Sequence, residues 1–140
     1  MMEINFYSLD TVANKSLKFA VIAAEYNNKW LFVRHKERTT LEIPGGHREE
    51  GEDINKTASR ELFEETGATD FHIEAICDYS VTRDDIPSYG RLFYAKVYKL
   101  DELPPLEIAE VIFRGNLPEN LTYKEIQPYL FRKVKEFKNK

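Results

Sequence analysis

The sequence predicts an α/β fold, with helices layered on a mixed β-sheet. Three observations carry that expectation. Runs rich in β-branched and aromatic residues recur along the chain, separated by turn-forming residues. One capped helical segment interrupts them near the middle. A second, with an apolar stripe at helical spacing, closes the chain. Strands flanking one helix, with another helix at the end, pack as α/β layers around one sheet.

Ile4 to Leu9 reads as a short first strand, and Asp10 to Lys15 as a polar turn. Leu17 to Tyr26 is apolar enough for a strand buried on both faces. Asn27 and Asn28 form a tight turn, since Asn tolerates left-handed angles, and Trp30 to Val33 returns as the second arm of a hairpin. Leu41 to Ile43 is extended, as expected before Pro44. Gly45 and Gly46 permit backbone angles closed to other residues. Asp53 is a helix N-cap, the helix runs from about Ile54 to Thr66, and Gly67 ends it.

Phe71 to Thr82 and Gly90 to Leu100 read as two long strands. Arg83 to Tyr89, with Asp84, Asp85 and Pro87, is expected to be the loop between them. Asp101 to Pro105 is another loop, and Ile108 to Phe113 a further strand. Thr122 and Glu125 fit a capping box for a short turn of helix. The last helix starts near Pro128, with Ile126, Leu130, Val134 and Phe137 as its apolar stripe.

The chain has 140 residues, which suits one domain with one sizeable core. A formal net charge of −4 argues against a large nucleic-acid-binding surface, so no nucleic-acid polymer is expected as a partner. The single cysteine, Cys77, excludes an intramolecular disulfide and a cysteine-based zinc cluster, and reads as a small buried hydrophobe. No apolar run approaches membrane-spanning length, and the first residues lack a signal-peptide pattern. A cytoplasmic protein without a membrane partner is therefore expected.

The central helix is not ordinary. Advancing 100° per residue from Ile54, Ala58, Leu62, Glu61 and Glu65 all fall within about 80° of it. Glu64 lies to one side and Phe63 opposite. A Glu-rich run is usually a solvated face, yet here two carboxylates share the stripe that should meet the core. Such carboxylates cost several kcal/mol unless compensated, and one turn apart they repel each other. A divalent cation resolves both problems, and oxygen ligands without thiols favour Mg²⁺ or Mn²⁺ over zinc. The basic cluster Arg34, His35, Lys36 and Arg38 is either a solvated loop or a phosphate-steering patch beside the acidic site.

Gly46, five residues, Glu52, seven residues, Arg60-Glu61-Leu62, one residue, Glu64-Glu65, one residue and Gly67 together resemble the Nudix box. A chance match is on the order of one in 10⁸ per starting position at average residue usage. The one departure is Ala68, where a larger aliphatic residue is usual. The box covers about a sixth of the chain, and the element order on both sides is similar to the Nudix α/β/α sandwich. A single Nudix domain over 1–140 is expected.

The resemblance implies Mg²⁺- or Mn²⁺-dependent cleavage of a nucleoside diphosphate linked to another group. It makes Glu61, Glu64 and Glu65 metal-ligand carboxylates and Glu52 an additional or indirect ligand. The Gly45 carbonyl is a candidate ligand, and Gly46 lets the loop backbone approach the metal. Arg60 would hold the carboxylates with its forked donors. Glu107 and Glu110 are candidates for a distal base or ligand, with Asp84, Asp85 and Glu102 competing. Arg34, Arg38, Gly46 and His47 are the expected substrate-binding residues. Base stacking would come from Phe6, Tyr79, Tyr89 or Phe93.

The tail from Leu117 to Thr122, followed by an aromatic-rich helix, is similar to antimutator-type nucleoside triphosphate pyrophosphohydrolases. A nucleoside triphosphate, oxidised purine forms included, is therefore the expected substrate. The alternatives are ADP-ribose, a nucleotide sugar or a dinucleoside polyphosphate, or, in another class, a nucleotide sensor that does not cleave. Exposed aromatic strands would permit a homodimer.

Overall fold

The computed structural model describes residues 2–139. One mixed sheet holds every strand: β1 (Met2–Tyr7), β2 (Leu17–Tyr26), β3 (Lys29–His35), β4 (Gly45–His47), β5 (Ala68–Arg83), β6 (Ile86–Leu100) and β7 (Ile108–Arg114). Its order is β1-β5-β6-β2-β3-β7, with β4 paired to β2. Only β2 and β6 run parallel; the other pairs are antiparallel. The helices are α1 (Ile54–Thr66) and α2 (Gln127–Lys138).

The central strand β2 explains the layering. Its alternate residues point to opposite faces. Leu17, Ala20, Ile22 and Ala24 join Ile54, Ala58 and Leu62 of α1 in one buried cluster. Phe19, Val21 and Ala23 pack with Leu130, Phe131 and Val134 of α2 in the other. The sheet thus lies between the two helices, an α/β/α sandwich.

The expected helix α1 and its caps are found as read. Asp53 Oδ1 accepts from the Asn55 N–H at 2.8 Å, and Gly67 takes φ 80° while its N–H donates to the Phe63 carbonyl. Asn27 and Asn28 turn the first hairpin at φ 51° and 65°. Four expectations need correction. The first strand lies two residues earlier than expected, and Leu9 is 39% exposed beyond it. The loop expected over Arg83 to Tyr89 shrinks to Asp84 and Asp85, which repeat the Asn pair's angles at φ 51° and 65°. Pro87 is accommodated beside Thr82 near the hairpin end, where one missing N–H is tolerated. Thr122 caps no helix: its hydroxyl pairs with that of Thr40, and 122–126 form turns. Finally, neither Gly45 nor Gly46 has a positive φ. They are needed for space instead, as the site makes clear.

One irregular segment ties the layers together. The Leu41 N–H donates to the Asn120 carbonyl, Glu42 N–H to Val33, Ile43 N–H to Gln127 Oε1 and Gly45 N–H to Glu65 Oε1. The Pro44 carbonyl accepts from Ile22 N–H. Every backbone donor from 41 to 45 thus has a partner, each on a different element, so the segment is fixed from both faces of the sheet.

Candidate active site

The wheel reading of α1 holds in three dimensions. Ile54, Ala58 and Leu62 are fully buried, Glu65 is 5% exposed on the same stripe, and Phe63 opposite is 43% exposed. Glu61 is nearly as enclosed as Glu65, and Glu64 lies at the margin. These carboxylates face the Gly45–His47 strand at one end of a cleft of about 990 Å³.

Arg60 organises the acidic group. Its Nε and Nη2 donate to the two oxygens of Glu52 at 2.8 and 2.9 Å. Its Nη1 donates to Glu61 Oε1 at 2.9 Å and to Glu64 Oε1 at 3.2 Å, and Nη2 also reaches the His47 carbonyl at 3.1 Å. Only a planar fork can serve three carboxylates and a carbonyl at once. Glu52 is further bound by the Thr57 hydroxyl at 2.6 Å and the Glu49 N–H. The Arg60 bonds hold its carboxyl down at about 2. Glu52, expected as an additional or indirect ligand, has both oxygens hydrogen-bonded to Arg60 and anchors the guanidinium.

Glu61 and Glu65 are in the opposite electrostatic state. Burial pushes Glu61 up to about 7, and its bond to Arg60 only partly opposes this. Burial pushes Glu65 up to about 8, against the Gly45 N–H that donates to Oε1 at 2.9 Å. Glu61, Glu42 and Glu107 add negative charge around Glu65. Both groups therefore stay protonated in the folded protein where the unfolded chain has already ionised near 4.5. The folded state binds more protons across that window, so stability falls as pH rises from about 4.5 to about 8. Glu52 acts with the opposite sign, but its contribution is lost only towards pH 2. Protein kept in chelator should accordingly lose melting temperature between about pH 5 and pH 8; a flat or rising profile would refute the buried-carboxylate assignment.

Gly46 is the close-approach residue. A Cβ built there would lie 1.3 Å from Glu61 Oε2, so the carboxylate occupies the space a side chain would fill. At Gly45 a Cβ would meet the Ala20 carbonyl oxygen of β2 at 2.4 Å. The two glycines do different work: Gly45 lets β4 pair with β2, and Gly46 admits Glu61.

Among the described residues no three His, Cys, Asp or Glu side chains converge at ligand spacing. Glu61 and Glu64 lean on Arg60, and Glu65 on the Gly45 N–H. The donor chemistry nevertheless fits a hard divalent cation. Two buried carboxyls share one helix face, Arg60 reaches Glu61 and Glu64 through Nη1 alone, and no thiol or histidine cluster competes.

Two members of the basic cluster separate by strand alternation. Arg34 and His35 are neighbours on β3 and point to opposite faces. His35 lines the cleft, with Nε2 3.3 Å from Glu42 Oε1 and 3.6 Å from Glu65 Oε2. Arg34 turns to Glu110 at 2.8 Å, and neither of the two lines the cleft. Arg38, Gly46, His47 and Glu107 do line the cleft. Asp84 and Asp85 form a turn whose neighbours Arg83 and Ile86 line the cleft while they do not, and the Glu102 backbone packs against Gly67. Of the aromatic candidates only Tyr79 reaches the cleft. Phe93 is core, Tyr89 packs against the α1-side cluster, and Phe6 lies under Lys133.

Several cleft residues were not foreseen, Glu42, Phe19 and Gln127 among them. Glu42, 7% exposed, is gripped by Arg38 and faces His35. Its one signal was a carboxylate between two apolar residues directly before the Pro-Gly-Gly turn. Phe19 and Gln127 carried none, because nothing local distinguishes them from core and helix residues.

A family model, the NUDIX domain, matches residues 16–130. The chain belongs to the NUDIX domain family. The "Putative 8-oxo-dGTP diphosphatase YtkD" of Bacillus subtilis (strain 168) is 27% identical over 137 residues, covering 91% of this chain and 86% of that one. A mutant of the Bacillus subtilis pyrophosphohydrolase BsRppH superposes with a TM-score of 0.78 at 25% identity, over 95% of this chain and 90% of that one. A C. elegans Ap4A hydrolase shares the fold at a TM-score of 0.67 and 21% identity, over 86% and 97% of the two chains. This Nudix chain is a pyrophosphohydrolase acting on nucleotide derivatives. Nudix hydrolases generally use divalent metal ions. None of its described helices is long and apolar enough to cross a membrane.

Proposed function

We propose that this Nudix protein hydrolyses a nucleoside triphosphate, oxidised purine forms included, to the monophosphate and pyrophosphate in a Mg²⁺- or Mn²⁺-dependent reaction. One observation carries the reading. The cleft is lined both by charged and polar groups, among them Glu61, Glu64, Glu65, Arg38, His47 and Arg48, and by apolar ones, Phe19, Tyr79, Val81, Ile126 and Leu130. A nucleotide combines the same two kinds of surface, a polyanion and a flat ring. The name of the Bacillus subtilis relative supports the triphosphate choice.

Glu61, Glu64, Glu65 and the Gly45 carbonyl would hold the cation. When bound, it would neutralise phosphate oxygens and make water a better nucleophile at neutral pH. The chain's own residues do the rest. Arg60 keeps Glu61 and Glu64 side by side, and the Gly45 N–H orients Glu65. Arg38, His35 and Arg48 offer positive or donor groups to the polyphosphate. Water oxygen bonds to phosphorus, the anhydride P–O bond breaks, and pyrophosphate departs. The water proton passes to a carboxylate, one of the helix glutamates or Glu107 at the rim. The enzyme would act in the cytoplasm on small molecules.

A panel of nucleotides with Mg²⁺ or Mn²⁺, read by product mass, tests this. Monophosphate and pyrophosphate are expected from at least one triphosphate. Cleavage confined to ADP-ribose would reject the triphosphate reading, and tight binding with no turnover would reject hydrolysis.

A further inference from the structure

The connection from β1 to β2 grips the acidic loop from outside it. Asn14 opens a single 3₁₀ turn, Asn14–Ser16, just before β2. Its Oδ1 accepts from the Ile54 N–H at 2.8 Å, and its Nδ2 donates to the Glu52 carbonyl at 3.1 Å. The Ile54 N–H can only donate and the carbonyl can only accept, so the amide has one orientation. Arg48 braces the same joint. Its Nη1 donates to the Glu52 carbonyl at 3.2 Å, and its Nη2 and Nε to the Lys15 and Leu17 carbonyls at 3.1 and 2.9 Å. A buried ion pair fixes the rest of the connection. Asp78 and Arg91 are paired across β5 and β6, with Arg91 Nε donating to Asp78 Oδ1 at 2.7 Å. Asp78 Oδ2 accepts from the Val12 N–H at 3.4 Å, and Arg91 reaches Asp10 Oδ1 at 3.3 Å and Asn55 Oδ1 at 3.4 Å. Such a pair adds little net stability over apolar side chains. This one ties residues 10–12 and the first turn of α1 to the same point of the sheet.

We propose that Asn14 is a positioning residue for the cation-holding carboxylates, acting through the backbone of Glu52. The route is short. Asn14 holds the Glu52 carbonyl, the Glu52 carboxylate holds Arg60 Nε and Nη2, and Arg60 Nη1 holds Glu61 and Glu64. Capping alone does not explain the amide. Asp53 already accepts from the Asn55 N–H, so α1 has its own local cap. The helix ladder begins at the Asp53 carbonyl, which accepts from Lys56 and Thr57, so the Glu52 carbonyl lies outside it. The Nδ2 bond therefore adds nothing to the helix and fixes the loop. It needs a donor beside an acceptor on one short side chain, which Asn has and Asp lacks. A small displacement of Glu52 passes through the rigid Arg60 fork to both carboxylates, and reacting groups tolerate little misplacement. The proposal rests on Glu61 and Glu64 as cation-holding groups, and not on the identity of the nucleotide.

Asn14→Asp and Asn14→Ala separate the two bonds. Asp keeps an oxygen for the Ile54 N–H, and its charge suits a helix N-terminus, so the melting temperature should stay within about 2 °C of wild type. Ala loses that bond too and should melt lower. Both variants lose the donor to Glu52. At saturating Mn²⁺, with the best-cleaved member of the nucleotide panel, both should lose about fivefold or more in kcat while KM changes less than about twofold. Their Mn²⁺ dissociation constants, read by electron paramagnetic resonance without nucleotide, should rise by about the same factor. In a Glu52→Gln background, where the link to Arg60 is already weakened, the Asn14→Asp penalty in kcat should shrink to less than about twofold. Wild-type kcat and Mn²⁺ affinity in Asn14→Asp would leave Asn14 a helix cap only and overturn the proposal. Penalties that simply multiply in the double variant would overturn it as well. Wild-type protein that binds no Mn²⁺ would overturn the cation reading together with it.

Discussion

Glu65→Gln should remove most turnover, a loss on the order of 10³-fold in kcat, or about 4 kcal/mol of transition-state stabilisation. The substitution keeps the shape of the side chain and an oxygen for the Gly45 N–H, and removes only the charge. Glu65 is buried on the core stripe of α1, 3.6 Å from His35, with Glu42 and Glu107 nearby. A carboxylate so placed is expensive and contributes nothing to packing that Gln would not. The same variant should therefore raise the melting temperature of chelator-treated protein at pH 8, because the charge lost was a cost there. Stability and activity should move in opposite directions, as expected where strain serves function. Unchanged kcat and Mn²⁺ affinity would show that Glu65 is not part of the centre.

Gly46→Ala and Gly45→Ala should fail in different ways. At position 46 the added methyl meets only the end of the Glu61 side chain, at 1.3 Å from Oε2. That side chain can swing aside, so folding survives within about 1 kcal/mol. The carboxylate cannot stay where Arg60 Nη1 holds it at 2.9 Å, so kcat/KM should drop on the order of 10²-fold or more. At position 45 the methyl meets the Ala20 carbonyl at 2.4 Å, a backbone atom of the central strand. The strand pair must open, at a cost of about 3 kcal/mol or more. Thermal denaturation and steady-state kinetics on the two variants separate the effects. A stable, active Gly46→Ala protein would contradict the observed approach of Glu61 to β4.

Helix α1 was legible in the sequence because everything that makes it is local. Asp53 caps within two residues, Gly67 closes within four, and the wheel that puts Glu61 and Glu65 beside Leu62 follows from backbone geometry alone. The same holds for the Asn27-Asn28 turn. The Asp84-Asp85 turn follows the same chemistry, yet Pro87 obscured it. Arg60 could be read as a clamp because the three carboxylates it holds lie within eight residues of it.

What the tertiary structure decided lies at long range. Glu42 became part of the site only when β3 brought His35 beside it and α1 brought Glu65. Gln127 met Ile43 across 84 residues, and no periodicity announces such a bond. Arg34 left the site and His35 entered it through a single step of strand alternation, which a cluster of basic letters cannot show. The acidic helix thus determined the reaction class from sequence alone, since metal and phosphate chemistry need charges at fixed local spacing. The apolar lining of the cleft was decided by the fold, because it comes from β2, β5 and α2, and only tertiary packing brings them together.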